Sequence, residues 1–275
     1  MLPGDVVFLA FYGERKYDKR KGVKSMEHPE TRRILPEAKN AVLFLHGIVG
    51  TPNHFRIVLP LEELVPEGWS LINVCYPGHG GDVAGFGRSC MDQWRAHARE
   101  AFLELAASHE KIAIVGHSMG TLFALQLALE FPEKISFLLL VAVPLRPWIR
   151  LFGAVNCLRL AFGRIREDHP MEVATRNVCG VTTTPLVWKY IPWLPRFFEL
   201  FGEIRRTERR MGELKVPCTA WQSRKDELVS NGSAAVLRKS GVMEVRELTE
   251  SSHFYYAPED CEKIQKDFLD QLGIR

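Results

Sequence analysis

The chain has 275 residues, of which 46% are hydrophobic, 10% aromatic and 25% charged, proportions that exclude a disordered, collagen-like or coiled-coil protein. Its 36 Lys and Arg against 33 Asp and Glu leave a formal charge of +3, too small an excess to mark a nucleic-acid surface without a clustered patch. The six cysteines, Cys75, Cys90, Cys157, Cys179, Cys218 and Cys261, form no C-x-x-C pair and stand at no zinc-finger spacing to histidine. They read as free thiols of a reducing compartment, with no metal or cofactor expected.

Residues 6–12 are apolar, but no basic segment precedes them and Glu14, Arg15 and Lys16 follow at once, which argues against a secretory signal. No later stretch is long enough to span a bilayer, and the expected location is the cytoplasm. Residues before 40 read as one or two edge strands around a Lys/Arg-rich loop. From residue 40 onward, short β-rich apolar runs alternate with helical patterns, the sequence form of βαβ units and a mostly parallel sheet. Strands are predicted at 41–45, 69–75, 111–115, 135–141, 216–222 and 243–248. Helices are predicted at 53–64, 91–108, 119–130, 231–239 and 259–272.

The rhythm breaks between residues 144 and 212, where no β-α pair appears and two aromatic, Pro-punctuated stretches stand instead, at 145–162 and 185–201. Residues 145–213 carry 12 Lys and Arg against 7 Asp and Glu, a local charge of about +5 that leaves about −2 for the rest. The domains expected are therefore a core of residues 1–143 and 214–275 and an insert of residues 144–213.

Gly116-His117-Ser118-Met119-Gly120 fits G-x-S-x-G, a strand-to-helix turn that projects a serine hydroxyl above a sheet. An apolar strand pattern precedes it and a helical pattern follows, which gives the motif the context it needs. A serine hydroxyl is a poor nucleophile at neutral pH, so a histidine must take its proton and a carboxylate must orient that histidine. Asp226 follows the strand predicted at 216–222, with Glu227 as a competing acid. His253, in Ser251-Ser252-His253-Phe254, follows the strand predicted at 243–248. The oxyanion of an acyl-transfer intermediate needs backbone N–H donors. Gly47, in Leu45-His46-Gly47-Ile48, allows a sharp turn after the first predicted strand, so the amides of Ile48 and Met119 are the natural pair. His46 reads as a structural hydrogen-bonder, and the turn at Tyr76-Pro77-Gly78-His79-Gly80 as scaffold beside the pocket.

Taken in order, Leu-His-Gly-Ile-Val-Gly, Tyr-Pro-Gly-His-Gly, Gly-His-Ser-Met-Gly, Lys-Asp-Glu-Leu-Val and Ser-His-Phe resemble the serine α/β-hydrolases, most closely the carboxylesterase and monoacylglycerol lipase branch. The resemblance covers residues 40–143 and 214–272. It implies an α/β-hydrolase fold, a triad of Ser118, Asp226 and His253, and a helical cap inserted after the sixth strand. Ile48 stands where that branch often has an aromatic residue, and the cap matches no known motif.

The function expected is a cofactor-free hydrolase of small-molecule carboxylic esters, with short to medium acyl or aryl groups or monoacylglycerol-like substrates, acting through an acyl-enzyme. Trp188 and Trp193 in the cap are candidates for the acyl-side wall. Thioesters and small peptides remain open as substrates, since the triad does not choose the leaving group. The alternative class is a non-catalytic binding protein of the same fold, its basic, aromatic cap making a weak contact with an anionic membrane surface. No nucleic-acid partner is expected.

Overall fold

The computed structural model describes residues 29–148 and 150–274. Among the described residues seven strands form one sheet: β1 (Thr31–Arg33), β2 (Asn40–Leu45), β3 (Ser70–Asn73), β4 (Lys111–His117), β5 (Ile135–Val141), β6 (Cys218–Ser223) and β7 (Met243–Leu248). Their order across the sheet is β1-β3-β2-β4-β5-β6-β7, with only β1 antiparallel to its neighbour. β1 is the edge strand expected before residue 40, and the remainder of that expectation, residues 1–28, lies outside the described residues.

The core accounts for the continuous apolar runs of the central strands. Ile112 and Ile114 of β4 point to one side of the sheet and Ala113 and Val115 to the other, and both sides are covered. A strand buried on two faces has no polar side to alternate with. One face is covered by α2 (Met91–Ser108) and α3 (Met119–Glu130), the other by α8 (Pro258–Leu272) and residues 54–65. α2 is amphipathic, burying Trp94, Ala98, Ala101, Phe102 and Leu105 at helical spacing. α3 is buried almost all round, as befits a helix whose first turn lies under the chain's other loops.

The structure corrects the single helix expected at 53–64. Pro60 lacks the N–H that a continuing helix needs, and the segment splits into a π-helical turn, His54–Val58, and a 3-10 turn, Glu62–Leu64. Two short helices complete the core, α1 (Val83–Arg88) and α7 (Gly232–Leu237).

Between β5 and β6 the chain forms α4 (Leu151–Ala161), α5 (Pro170–Val178), a 3-10 segment (Val187–Trp193), α6 (Leu194–Arg210) and a last 3-10 turn (Met211–Glu213). This insert leaves the sheet after β5, the fifth strand of the described residues. Polar staples hold it. Gln126 of α3 donates to Glu203 Oε2 at 2.8 Å and Thr207 Oγ1 at 3.0 Å on α6, and Arg95 of α2 reaches Glu203 Oε1 at 2.6 Å. Between α4 and α5 sits the buried Glu172; burial opposes its charge, but hydrogen bonds from Arg166 and Arg159 hold its carboxyl down to about 2.

Candidate active site

The strand order reverses direction between β2 and β4, and ligands of open α/β sheets bind at such a point, beyond the carboxyl ends of the strands. Leu45 of β2 pairs with Gly116 of β4. That register places the chain leaving β2, His46-Gly47-Ile48, beside the chain leaving β4, His117-Ser118-Met119. The approach is so close that a Cβ on Gly47 would stand 2.9 Å from Ser118 Cβ.

Ser118 has φ 50° and ψ −121°, a left-handed region that costs a non-glycine residue about 1–3 kcal/mol and persists only where the surroundings impose it. Here they do. Its N–H is tied to the Val141 carbonyl at 2.9 Å, and its own carbonyl accepts from Thr121 N at 3.0 Å and Oγ1 at 2.6 Å. The flanking glycines are required by packing: a Cβ on Gly120 would overlap the Leu45 carbonyl, and one on Gly116 would lie 2.9 Å from Thr121 Cα. Met119 begins α3, so its N–H has no intrahelical acceptor.

Asp226 sits in the loop after β6. Its Oδ1 accepts from the N–H groups of Leu228 and Val229, both at 2.8 Å, which fixes the carboxylate from within its own turn. Oδ2 is left for the ring of His253, whose Nδ1 lies 2.8 Å away, and both side chains are buried. Glu227, the competing acid, takes a different part of the same residue: its Oε2 accepts the His253 backbone N–H at 2.9 Å. His253 is therefore held by ring and by backbone from two adjacent carboxylates.

Burial by itself lowers the pKa of the His253 imidazole. The charge of Asp226, its hydrogen bond and the charge of Glu227 outweigh that and raise the pKa above the usual histidine value. Burial pushes Glu227 up, against the opposing pull of His253.

His117, the variable position of the serine motif, was not a candidate in the sequence, yet its Nε2 donates to the His253 carbonyl at 3.1 Å. It also stacks on His54 with ring centroids 3.8 Å apart. The residue before Ser118 thus carries the loop of His253. Burial, reinforced by the charges of His54 and His253, lowers the His117 pKa well below the usual value, so the ring stays neutral and keeps one donor. Sequence gives no signal for this bond, because its acceptor is a backbone atom of a residue 136 positions away.

His46 and His79 are structural, as expected. His46 Nδ1 lies 2.8 Å from the Gly47 carbonyl and its Nε2 accepts from Tyr76 N at 3.4 Å, while His79 Nε2 accepts from Val49 N at 3.2 Å. The Tyr76 turn therefore braces the turn that presents Ile48. The insert braces it from the other side: Gly180 N donates to the Val49 carbonyl at 3.1 Å and Thr51 Oγ1 to the Val178 carbonyl at 3.2 Å.

The two tryptophans differ in burial and in what they touch. Trp193 is buried, packs on Phe86 at 4.4 Å between centroids and donates Nε1–H to the Val83 carbonyl at 2.9 Å. A buried indole N–H needs an acceptor, and finding it on α1 turns Trp193 into a pin between insert and core. Trp188 is 60% exposed. Among the described residues, no cluster of His, Cys, Asp and Glu is arranged to hold a metal ion, and no helix is long and apolar enough to cross a membrane.

A mostly parallel sheet with helices on both faces, a strained serine at the β4–α3 crossing and an Asp–His pair on the loops after β6 and β7 define the α/β-hydrolase class. The chain belongs to the alpha/beta hydrolase family, whose model matches residues 42–261. It is 30% identical over 171 residues, 62% of this chain and 57% of the relative, to a putative 2-succinyl-6-hydroxy-2,4-cyclohexadiene-1-carboxylate synthase of Bacillus subtilis. The chain spans about half the length of the curated relatives it matches. Among solved structures it is similar to metagenome-derived lipolytic enzymes, those named LipS and LipT, with TM-score 0.64, 21% identity and coverage of 88% of this chain and 96% of that one. It is also similar to the monoacylglycerol lipase of Paleococcus ferrophilus, with TM-score 0.61, 18% identity and coverage of 90% and 98%.

Proposed function

We propose that this protein is a serine hydrolase of uncharged carboxylic esters, working through an acyl-enzyme, with Ser118, Asp226 and His253 as its triad. The observation that carries the reading is the strained Ser118, whose preceding residue His117 bonds the carbonyl of a buried His253 that is itself held at Nδ1 by Asp226. With Nδ1 engaged, Nε2 is the ring atom that takes the Ser118 proton as Oγ attacks the ester carbonyl. The negative oxygen of the tetrahedral intermediate is held by the Ile48 and Met119 amides. Collapse expels the alcohol, which takes the proton from His253, and water attacks the acyl-enzyme by the same route. Esterase and lipase reactions of the structural relatives support the class, while thioester or amide cleavage would use the same groups.

In this reading residues 144–213 are a cap, and its outer face suggests where the ester comes from. Thirteen of the sixteen exposed large apolar side chains among the described residues lie between 148 and 201. On α4 they recur as Leu151, Val155, Leu158 and Phe162, and from the 3-10 segment into α6 as Val187, Ile191, Leu194 and Phe198. Lys189, Arg164, Arg205 and Arg209 are exposed around them. Apolar stripes bordered by cations suit an anionic lipid surface, so the cap would rest there weakly while substrate enters. The six free cysteines support a reducing, cytoplasmic setting.

The test is a panel of chromogenic esters graded by acyl length, with a serine-directed phosphonate probe. Rapid labelling of Ser118 is expected, with kcat/KM rising from acetate through medium chains by nearly fourfold per buried CH2, from about 0.8 kcal/mol each. Sedimentation with anionic vesicles should exceed that with zwitterionic ones. An unlabelled Ser118 together with no ester turnover would overturn the reading in favour of a binding protein.

The raised pKa of His253 sets the pH response. Protonated imidazole cannot accept the Ser118 proton, so activity is lost as pH falls through that raised value. The half-maximum of kcat/KM should lie above about 6.5, the ordinary histidine value. A profile flat from pH 5 to 8 contradicts His253 as base.

A further inference from the structure

Asn156 stands inside an otherwise apolar stretch of α4, is 3% exposed, and has neither its Nδ2 nor its Oδ1 bonded to any protein group among the described residues. Leaving both ends of a carboxamide unpaired in a protein interior is unfavourable, and a native structure that keeps such a group needs a reason for it.

Its position supplies one. Gly153, one turn earlier on the buried face of α4, lies against Glu227, where a Cβ would stand 3.1 Å from Glu227 Cγ. Glu227 in turn holds the His253 N–H. The helix is tied there by Arg150 N, which donates to the Glu227 carbonyl at 2.9 Å. On its other side α4 joins α5 through Arg159 and Glu172, and α5 ends at Val178, bonded to Thr51 just beyond the Ile48 turn. Around the helix, Asn156 falls between the direction of Gly153 and that of Arg159. It therefore turns to the side of α4 that lies between Glu227, which holds the His253 N–H, and Glu172 of α5.

We propose that Asn156 is a substrate-binding residue that holds a neutral hydrogen-bonding group, a hydroxyl or carboxamide, on the leaving alcohol of the ester. The inference rests on the hydrolase reading above. The alcohol side follows from α4 lying against Glu227, which holds the backbone of His253, the residue that hands the departing oxygen its proton in the proposed mechanism. A neutral group follows from the carboxamide itself, which offers donors and an acceptor together and no charge. A carboxylate or ammonium on the substrate would find no counter-ion in it.

The test compares two esters of one acid that differ little in size, the 2-hydroxyethyl and the propyl ester, in wild type, Asn156→Leu and Asn156→Ala. Each variant's ratio of kcat/KM for the two esters is internal to that variant, so a change in folded fraction cancels. Both substitutions should lower the hydroxyethyl-to-propyl ratio about tenfold, equivalent to about 1.4 kcal/mol, with the propyl ester little affected. Asn156→Leu should leave Tm unchanged or higher, since it removes an unpaired buried amide. A ratio equal to wild type in both variants overturns the proposal, and a lowered Tm with that unchanged ratio would mark Asn156 as a packing residue. Wild-type protein that cleaves neither ester would instead overturn the hydrolase reading, and this inference with it.

Discussion

Ser118→Ala is expected to lower kcat for ester hydrolysis by on the order of 10⁴ to 10⁶ and to abolish phosphonate labelling, while leaving Tm within a few degrees of wild type. Removing the hydroxyl removes the only atom that can form the acyl-enzyme in the proposed mechanism. The backbone strain at φ 50° belongs to any residue with a Cβ and is the same in both proteins. The restraints that impose it, from Val141 and Thr121, act on the main chain and survive the change. Activity above a few per cent, measured on protein freed of contaminating hydrolases, would remove Ser118 from the role of nucleophile.

Asp226→Asn should cost about 10⁴ in kcat, and the arrangement of the loop says why. Oδ1 accepts two backbone N–H groups, from Leu228 and Val229. In the variant the amide oxygen must stay with those donors, which turns the NH2 toward His253 Nδ1. That nitrogen then has to accept, so the ring proton moves to Nε2 and faces Ser118, where an acceptor is needed. Glu227→Gln should lose less than about tenfold, because an amide oxygen still accepts the His253 N–H. Measured kcat for the two variants separates them; a crippled Glu227→Gln beside an active Asp226→Asn would reverse the assignment of the acid.

Where sequence pattern and burial run together, the elements were legible. The expected bounds of α2, α3, β5 and β7 match the structure, since each has an uninterrupted period or apolar run between clear breaks. The serine turn and the Asp226–His253 pair were legible because the chemistry expected of a triad fixes both residue type and chain order. The cap was not. Its helices turn apolar residues outward and bury Glu172, Glu203, Thr207 and Asn156, the inverse of the pattern by which helices are recognised. Glu227 and His117 escaped notice as supports because they act on backbone atoms of His253, which no side-chain motif encodes. The anchoring of Trp193 was not legible either, because its indole N–H bonds the backbone carbonyl of Val83, 110 residues away.

In the proposed function, the cap and the oxyanion turn share a fastening. Val178 and Gly180, at the end of α5, are bonded to Thr51 and Val49, and Gly180 fits so tightly against Thr51 that any side chain would overlap it. Val49 itself is held at φ 60°. In the proposed mechanism the next residue back, Ile48, supplies an oxyanion donor, so lifting this end of the cap disturbs that donor as well. Access and competence then oppose one another. If this end of the cap lifted to admit substrate, the site would lack part of its proposed transition-state stabilisation until the cap was reseated. The acyl-enzyme would turn over only after reclosure, and the cap's seating equilibrium would enter the observed rate of every ester, independent of the reactivity of its carbonyl.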